Sequence, residues 1–539
     1  MYGGMGFETD TFLEITLQLP EWHEVDLGPR RLDLIIREGG ILDCHIRNLQ
    51  RGRYGPRRAE YLEEVLLPRL EEKCSRLLEG VAPEWRALRR GEVGEAFNRA
   101  RARIKGLRFM ELYRCLEAGT PEMLEDLRDL VGFETVTPPG REYPEIVDHL
   151  IPIFRDLGFE AEKVVVPPEV LAGRGEEAIG ERSNLWARLD VGAEETMVIY
   201  THLDVVPAGE GWSKDPFALD IRDGRIYGRG VADSKGAVAA LIAALRAVEA
   251  TGRPQRNLLV LLTTDEEGGG YSGLCYFADE GLVKGDVMLC MDSFSDDVII
   301  GSNGIITWEA TVRGKAAHSG ASFLGENAIE KALPVIEALL DLKGRVEARR
   351  STLRASSELE DHGVDFVRPM LNVTVIRGGI KENIVPDRCV LRGDRRVIPE
   401  ERMEEAAAEL EREMAALPVD LEWRSWMGYP PMRIDPDHPW VAEVRRALEG
   451  ASGRSPRLAG AQYSLDQAYV AEVTGIPTCV YGVGRQTDSN PHGPDENVTL
   501  EDLSTYSRFL AALISGWGAG EEKEGGVDEE RREKKEGAD

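Results

Sequence analysis

Three short apolar runs, "TMVIY" (196–200), "NLLVLLTT" (257–264) and "VMLCM" (287–291), alternate with helical segments from about residue 120 onward. Each run is of strand length and lacks the polar alternation of a half-solvated strand, so both of its faces must be covered. That points to an α/β domain with a largely parallel, buried sheet. Between about 304 and 424 the pattern changes. "IITWEATVRG", a long helical stretch across "ENAIEKALPVIEALLDL", then "MLNVTVIRGG", "CVLRGDRRVI" and "EERMEEAAAELEREMAAL" read as strands and two helices of an inserted α+β, ferredoxin-like domain. The expected organisation is a helical N-terminal extension over 1–118, a first catalytic segment over 119–303, the insert over 304–424, a second catalytic segment over 425–518 and an acidic tail over 519–539.

The flanking regions differ in character. Residues 1–118 carry helical spacing in "YLEEVLLPRLEEKCSRLLEG" and a dense basic stretch from Arg86 to Lys105, which reads as a helical extension with a solvated basic face. The tail "GAGEEKEGGVDEERREKKEGAD" has charge and glycine but almost no apolar side chains, so it is expected to be disordered. A net charge of −30 over 539 residues repels phosphate backbones, which argues against nucleic acid as a partner. The longest nearly uncharged apolar stretch, "GAVAALIAAL" (236–245), is far short of a membrane span, and the expected setting is cytoplasmic. Seven scattered cysteines without CxxC spacing signal neither a disulfide framework nor a thiolate zinc site.

Chemistry in α/β proteins gathers where strands run into loops at the carboxyl edge of the sheet. Four such junctions here carry ligand-type residues. "THLD" follows the first run and puts His202 and Asp204 on one side of an extended chain, so that Asp204 is placed to accept the second imidazole N–H and fix the tautomer. "GRGVADSKG" sets Asp233 just before a helix, "TTDEEGGG" presents Glu266 and Glu267 together, and "MLCMDS" ends in Asp292. Far downstream, "NPHGPDEN" supplies His492. Carboxylates clustered this closely raise one another's pKa unless cations compensate them. A mixed imidazole and carboxylate set suits zinc, with cobalt or manganese as alternatives.

The stretch "THLDVVPAG" through "DGRIYGRGVADSKG", followed by "DEEGGG", "AAHSG" and the spaced Gly-Gly, Asn, Val-Pro and Asp-Arg-Arg of 378–396, resembles the metallopeptidase family of acetylornithine deacetylase, succinyl-diaminopimelate desuccinylase, carboxypeptidase G and the carnosinase-type dipeptidases. The resemblance spans about residues 120–518. It implies two zinc ions, His202 and Asp292 holding one, Glu267 and His492 the other, with Asp233 between them and Glu266 as general base. It further implies that His318 of "GKAAHSG" serves the site of a neighbouring subunit, that residues 304–424 mediate a homodimer, and that Asn383 and Arg396 contact substrate. The implied activity is metal-dependent hydrolysis of an amide in a small N-acyl amino acid. A dipeptidase or aminopeptidase is the alternative, and a catalytically silent metal-bound binding protein a more remote one. Aspartate at position 292 leans toward the peptidases, since the family has Asp there in many aminopeptidases and dipeptidases and Glu in many deacylases. The overall spacing and short insert lean toward the deacylase branch.

Overall fold

The structure, a computed structural model, describes Pro68 and residues 110–173, 180–269, 271–485 and 487–516. Most of the expected N-terminal extension and all of the expected tail lie outside the described residues. Two compact units divide the chain, Met1–Pro121 with Ala243–Pro254, and Glu122–Ile242 with Gln255–Asp539. Among the described residues the first unit holds the beginning of a helix over 110–132 and the last part of the helix Lys235–Thr251.

Among the described residues, eight strands precede the insert: β1 (Glu160–Val165), β2 (Ser183–Leu189), β3 (Thr196–His202), β4 (Asp220–Arg222), β5 (Arg225–Tyr227), β6 (Asn257–Thr263), β7 (Val287–Cys290) and β8 (Val298–Ser302). The insert contributes β9 (Gly304–Arg313), β10 (Ala317–His318), β11 (Met370–Gly378), β12 (Ile384–Val385), β13 (Arg388–Val397) and β14 (Leu421–Met427). After it come β15 (Met432–Arg433), β16 (Leu458–Ala461), β17 (Thr478–Val480) and β18 (Asn497–Thr499).

The main sheet runs β1-β2-β6-β3-β7-β17-β8-β15, with β16 also pairing with β8. Its centre, β6-β3-β7-β17, is parallel, while β1, β2 and β15 join antiparallel at the flanks. All seven residues of β6 are buried, as a strand covered on both faces requires. The register decides where the site forms. His202 pairs with Thr263 of β6 and Tyr200 with Cys290 of β7, so three neighbouring parallel strands reach the same carboxyl edge together. There the chain emits His202 and Asp204, Glu266 and Glu267, and Asp292. A separate three-stranded sheet, β18-β5-β4, ties the segment after His492 to the segment before Asp233 by antiparallel pairing of Asn497–Thr499 with Arg225–Tyr227.

The insert folds around its own antiparallel sheet, ordered β11-β13-β9-β14. Helices Ala328–Glu347 and Met403–Ala415 cover one face, their buried residues Ala332, Val335, Leu339, Leu410 and Met414 packing with Ile306, Trp308 and Leu391 of the sheet. Asn327 starts the longer helix by accepting the Ile329 and Glu330 amide hydrogens with its side chain. Strand β14, which the hydrophobic pattern does not single out, is held by Trp423 stacking on buried Trp308 at 5.4 Å between centroids. It continues to Met427, past residue 424 where the pattern ends the insert. Among the described residues no helix is long and apolar enough to cross a membrane.

Because β6 carries the centre of the parallel core, Leu261→Ala is expected to cost about 2–5 kcal/mol. A lowered denaturant midpoint with an unchanged slope is the result to look for in an unfolding titration.

Candidate metal centre

Two groups of ligand-type side chains meet at the carboxyl edge of the sheet. His202, Asp233 and Asp292 form one, Asp233, Glu267 and His492 the other, and within each group the ligand atoms lie within 4.8 Å of one another. The five residues that the sequence nominates as metal ligands are thus brought together, with Asp233 common to both groups. Its Oδ1 is 3.0 Å from His202 Nε2 and its Oδ2 is 3.2 Å from His492 Nε2. His492 Nε2 also lies 3.0 Å from Glu267 Oε1, and His202 Nε2 lies 3.7 Å from Asp292 Oδ1. Each group offers one imidazole nitrogen and two carboxylates, a donor set that fits a divalent ion of zinc type.

The tautomer of His202 is fixed by a backbone group. Its Nδ1 is 3.0 Å from the Asp204 carbonyl oxygen and 3.6 Å from the Asp204 carboxylate. A carbonyl can only accept, so Nδ1 carries the hydrogen and Nε2 is left to face Asp233 and Asp292. The main chain of Asp204 thus makes the shorter contact, and the side chain expected to orient the ring stays within ion-pair range. The carboxylate, fully buried, also accepts the amide hydrogens of Glu266 at 3.2 Å and Glu267 at 3.1 Å. Asp204 therefore braces the loop that carries both glutamates. The turn entering that loop is braced as well: Asp265 has a left-handed φ of 67°, and its carboxylate takes a hydrogen bond from Tyr143 Oη at 2.7 Å and an ion pair from Arg182 at 2.5 Å.

Electrostatics report the crowding. Burial raises the Glu266 carboxyl well above the usual range, and the charge of Asp292 pushes it further. Burial, reinforced by Asp233, brings Glu267 up to about 7. Hydrogen bonds to Asp233 and Glu267 hold His492 up at about 10. Burial opposes protonation of His202, yet Asp204, Asp233 and Asp292 keep its pKa well above that of free imidazole. Asp233 runs the other way: burial would raise it, but its bonds to the two imidazoles hold it below the ordinary carboxylate range. A further acid, Asp466, is buried behind the site at the end of a hydrogen bond from Tyr200 Oη, and burial raises it to about 7. No ligand spacing in the sequence marks Asp466. Its one signal is an acid just ahead of the helix Gln467–Thr474.

The residues nominated in the insert fall into two places. His318 is exposed, and its Nδ1 accepts the Gly320 amide hydrogen at 3.0 Å, which leaves Nε2 as the donor of the neutral ring. Pairing of β10 with β12 sets it beside Asn383, whose carbonyl accepts the Ser319 amide hydrogen at 3.0 Å and whose side-chain oxygen is buried without a partner. Among the described residues neither makes a hydrogen bond or ion pair with the two ligand groups. Arg396 reaches the catalytic segment instead, donating from Nε to Asp394 at 3.0 Å and from Nη1 to Ser464 Oγ at 3.2 Å. Strand alternation turns its neighbour Arg395 to the opposite face, where it is fully buried and pairs with Glu401 at 2.9 and 3.0 Å.

Residues 198–516 match the family model described as peptidase family M20/M25/M40. The chain belongs to this family. It is 28% identical over 408 residues to a succinyl-diaminopimelate desuccinylase of Marinobacter nauticus, an alignment that covers 72% of this chain and 97% of the relative. Among solved structures it is similar to an M20 family metallo-carboxypeptidase from Sulfolobus solfataricus, with a TM-score of 0.62 at 19% identity over 74% of this chain and 99% of that one. A di-peptidase of Saccharomyces cerevisiae also scores 0.62, at 16% identity over 77% of this chain and 99% of that one. The M20 chain is therefore a metal-dependent hydrolase, and the α/β architecture with a mostly parallel central sheet is that of its structural relatives.

The common position of Asp233 makes the two groups unequal to mutation. Asp233→Ala is expected to weaken Zn2+ or Co2+ uptake by both groups, whereas Asp292→Ala spares the group of Glu267 and His492. Calorimetric titration of metal into chelator-treated protein separates the two outcomes.

Proposed function

We propose that the chain hydrolyses the amide bond of a small N-acyl amino acid, with two zinc ions held by His202, Asp292, Glu267 and His492 and shared by Asp233. The observation that carries this reading is the pair of ligand groups joined at Asp233, with the raised carboxyl of Glu266 beside them. Divalent ions at these positions would supply Lewis acidity, lowering the pKa of water and polarising the scissile carbonyl; cobalt or manganese can take the same donors. Glu266 takes the proton from the attacking water. Among the described residues no hydrogen bond occupies its carboxylate, and its raised pKa lets it hold that proton and pass it to the departing nitrogen. Asp204 keeps Glu266 and Glu267 in register through their amides, so base and ligand move as one unit.

Near-complete coverage of the desuccinylase relative supports an acyl amino acid as the substrate class. A dipeptidase of the same family is the second reading, favoured by aspartate rather than glutamate at position 292. In either case Arg396 is suited to a substrate carboxylate through its planar fork, and Asn383 keeps an acceptor free.

We further propose a homodimer through the insert. Ile329, Leu333 and Leu340 on the helix Ala328–Glu347 and Ile376 on edge strand β11 are all at least 40% exposed, an apolar stripe beside an unpaired strand edge. On this reading His318 donates from Nε2 to the developing oxyanion in the neighbouring subunit's site.

Glu266→Gln is expected to keep metal content and fold while lowering kcat by about two orders of magnitude or more, the usual scale of a lost proton shuttle. The check is a hydrolysis panel of N-acetyl, N-succinyl and dipeptide substrates on zinc- or cobalt-loaded protein, with metal analysis alongside; a variant that retains most of its rate removes Glu266 as the base. Mixing inactive His318→Ala with inactive His202→Ala is expected to restore activity, because each hybrid dimer contains one intact composite site. Verified heterodimers without recovered activity would place His318 outside the neighbouring site.

A further inference from the structure

Glu496 lies in "HGPDEN", four residues after His492, and is neither a ligand-type member of the two groups nor exposed to solvent. Its Oε1 accepts amide hydrogens from Gly230 at 3.1 Å, Ala232 at 2.9 Å and Asp233 at 3.1 Å. Its Oε2 accepts from Arg229 Nη1 at 2.6 Å and shares the Gly230 amide at 3.1 Å. Successive main-chain N–H groups converging on one anion form a concave nest, and the left-handed φ of 89° at Gly230 gives the loop that shape. A side chain there would be driven against Val205, 2.9 Å from the added carbon. The main chain of Glu496 is engaged too, its carbonyl accepting the Gly228 amide hydrogen at 3.1 Å.

We infer that Glu496 is a positioning residue for the metal centre: it fixes the loop that presents Asp233 and ties that loop to the arm that presents His492. Asp233 and His492 lie on opposite sides of the insert in sequence, yet both must reach one ion. The β5–β18 pairing brings the two arms side by side, and the Glu496 carboxylate sets the height of Asp233 through the Asp233 amide itself. Arg229 closes the arrangement from beneath. Its guanidinium is buried, sits 5.2 Å from the Trp212 ring and donates to the carbonyls of Pro207 and Ala208. The inference rests on the metal reading of the two ligand groups, and it assigns to Glu496 a role that acts on affinity through Asp233 rather than by contact with an ion or substrate.

Glu496→Gln is the informative change, because it keeps the size of the side chain and one accepting oxygen while replacing the acceptor that faces Arg229. Glu496→Ala removes the whole cradle and is the more severe companion. In the folded full-length variants, titration of Co2+ followed by visible absorption is expected to show affinity weakened about 10- to 100-fold, the scale of lost outer-sphere support. The ligand-field bands should shift, and kcat should fall with KM little changed. Leu261→Ala, a truncation in the hydrophobic core outside the Glu496 cradle, serves as the control for stability alone. Co2+ affinity equal to wild type in folded Glu496→Gln, or a loss no larger than in Leu261→Ala at matched melting temperature, would overturn the inference. Amide hydrogen exchange at Gly230, Ala232 and Asp233 in metal-free protein gives the separate readout: faster exchange in the variant supports the cradle, and unchanged exchange overturns it. A wild-type chain that takes up no Co2+ would sink the metal reading instead, leaving exchange to decide the role of Glu496.

Discussion

Asp233 stands between two imidazoles, and much of the surrounding structure is explained by what that position demands. A carboxylate shared by His202 and His492 collects further carboxylates with each histidine, Asp292 on one side and Glu267 on the other. Like charges at this spacing are tolerated only if positive charge lies among them. The histidines supply it as protons: both are held well above their ordinary pKa by the carboxylates they face, after burial has opposed the change at His202. Divalent ions would supply it without protons. Ion binding and proton release are therefore coupled, and the same electrostatic demand that makes the site costly to assemble empty makes it receptive to metal.

Holding such a set in place falls to carboxylates that bind no ion. Asp204 and Glu496 are both fully buried, and each is received by main-chain amides of a loop carrying ligand-type residues. A buried charge paired with fixed amide dipoles keeps much of the stabilisation that water would have given it, while the loop gains a rigid counterpart. Asp265 adds a third brace through Tyr143 and Arg182 at the left-handed turn before Glu266. The loops are thus fixed from behind, and the ligand faces of Asp233, Glu267 and His492 remain directed into the site.

The sequence makes the ligand-type residues legible because their chemistry is local: His, Asp and Glu at the ends of apolar runs are conspicuous, and parallel register delivers most of them to one edge. The central strands are legible for the same reason, since a strand covered on both faces reads as an uninterrupted apolar run, as in β6. Glu496 is illegible. An acid in "PDEN", between an aspartate and an asparagine, has the composition of a solvated loop, and what buries it is a nest of amides more than 260 residues away. Asp204 is half legible: its place beside His202 can be read, but not that its carbonyl holds the imidazole while its carboxylate holds another loop. Strand β14 escapes the pattern because "LEWRSWM" packs only Leu421 and Trp423 against the core, while Trp426 and Met427 stay exposed.

The insert sets its nominated residues in two different surroundings. Arg396 and Ser464 meet within the chain, so one guanidinium from the insert already borders the catalytic segment. His318 and Asn383 sit together on the short β10–β12 ladder, one exposed with its tautomer set by the Gly320 amide, the other with an acceptor left without a partner. A histidine whose donor face is prepared and whose target is absent from its own surroundings is an arrangement suited to a second chain. The apolar stripe on Ala328–Glu347 lies in the same domain, as does edge strand β11, whose exposed backbone groups favour pairing with another copy. On the proposed reading, dimer formation and completion of the oxyanion contact are the same event. On that same reading the ligand-type residues belong wholly to one subunit, and the group that stabilises the developing charge belongs to the other.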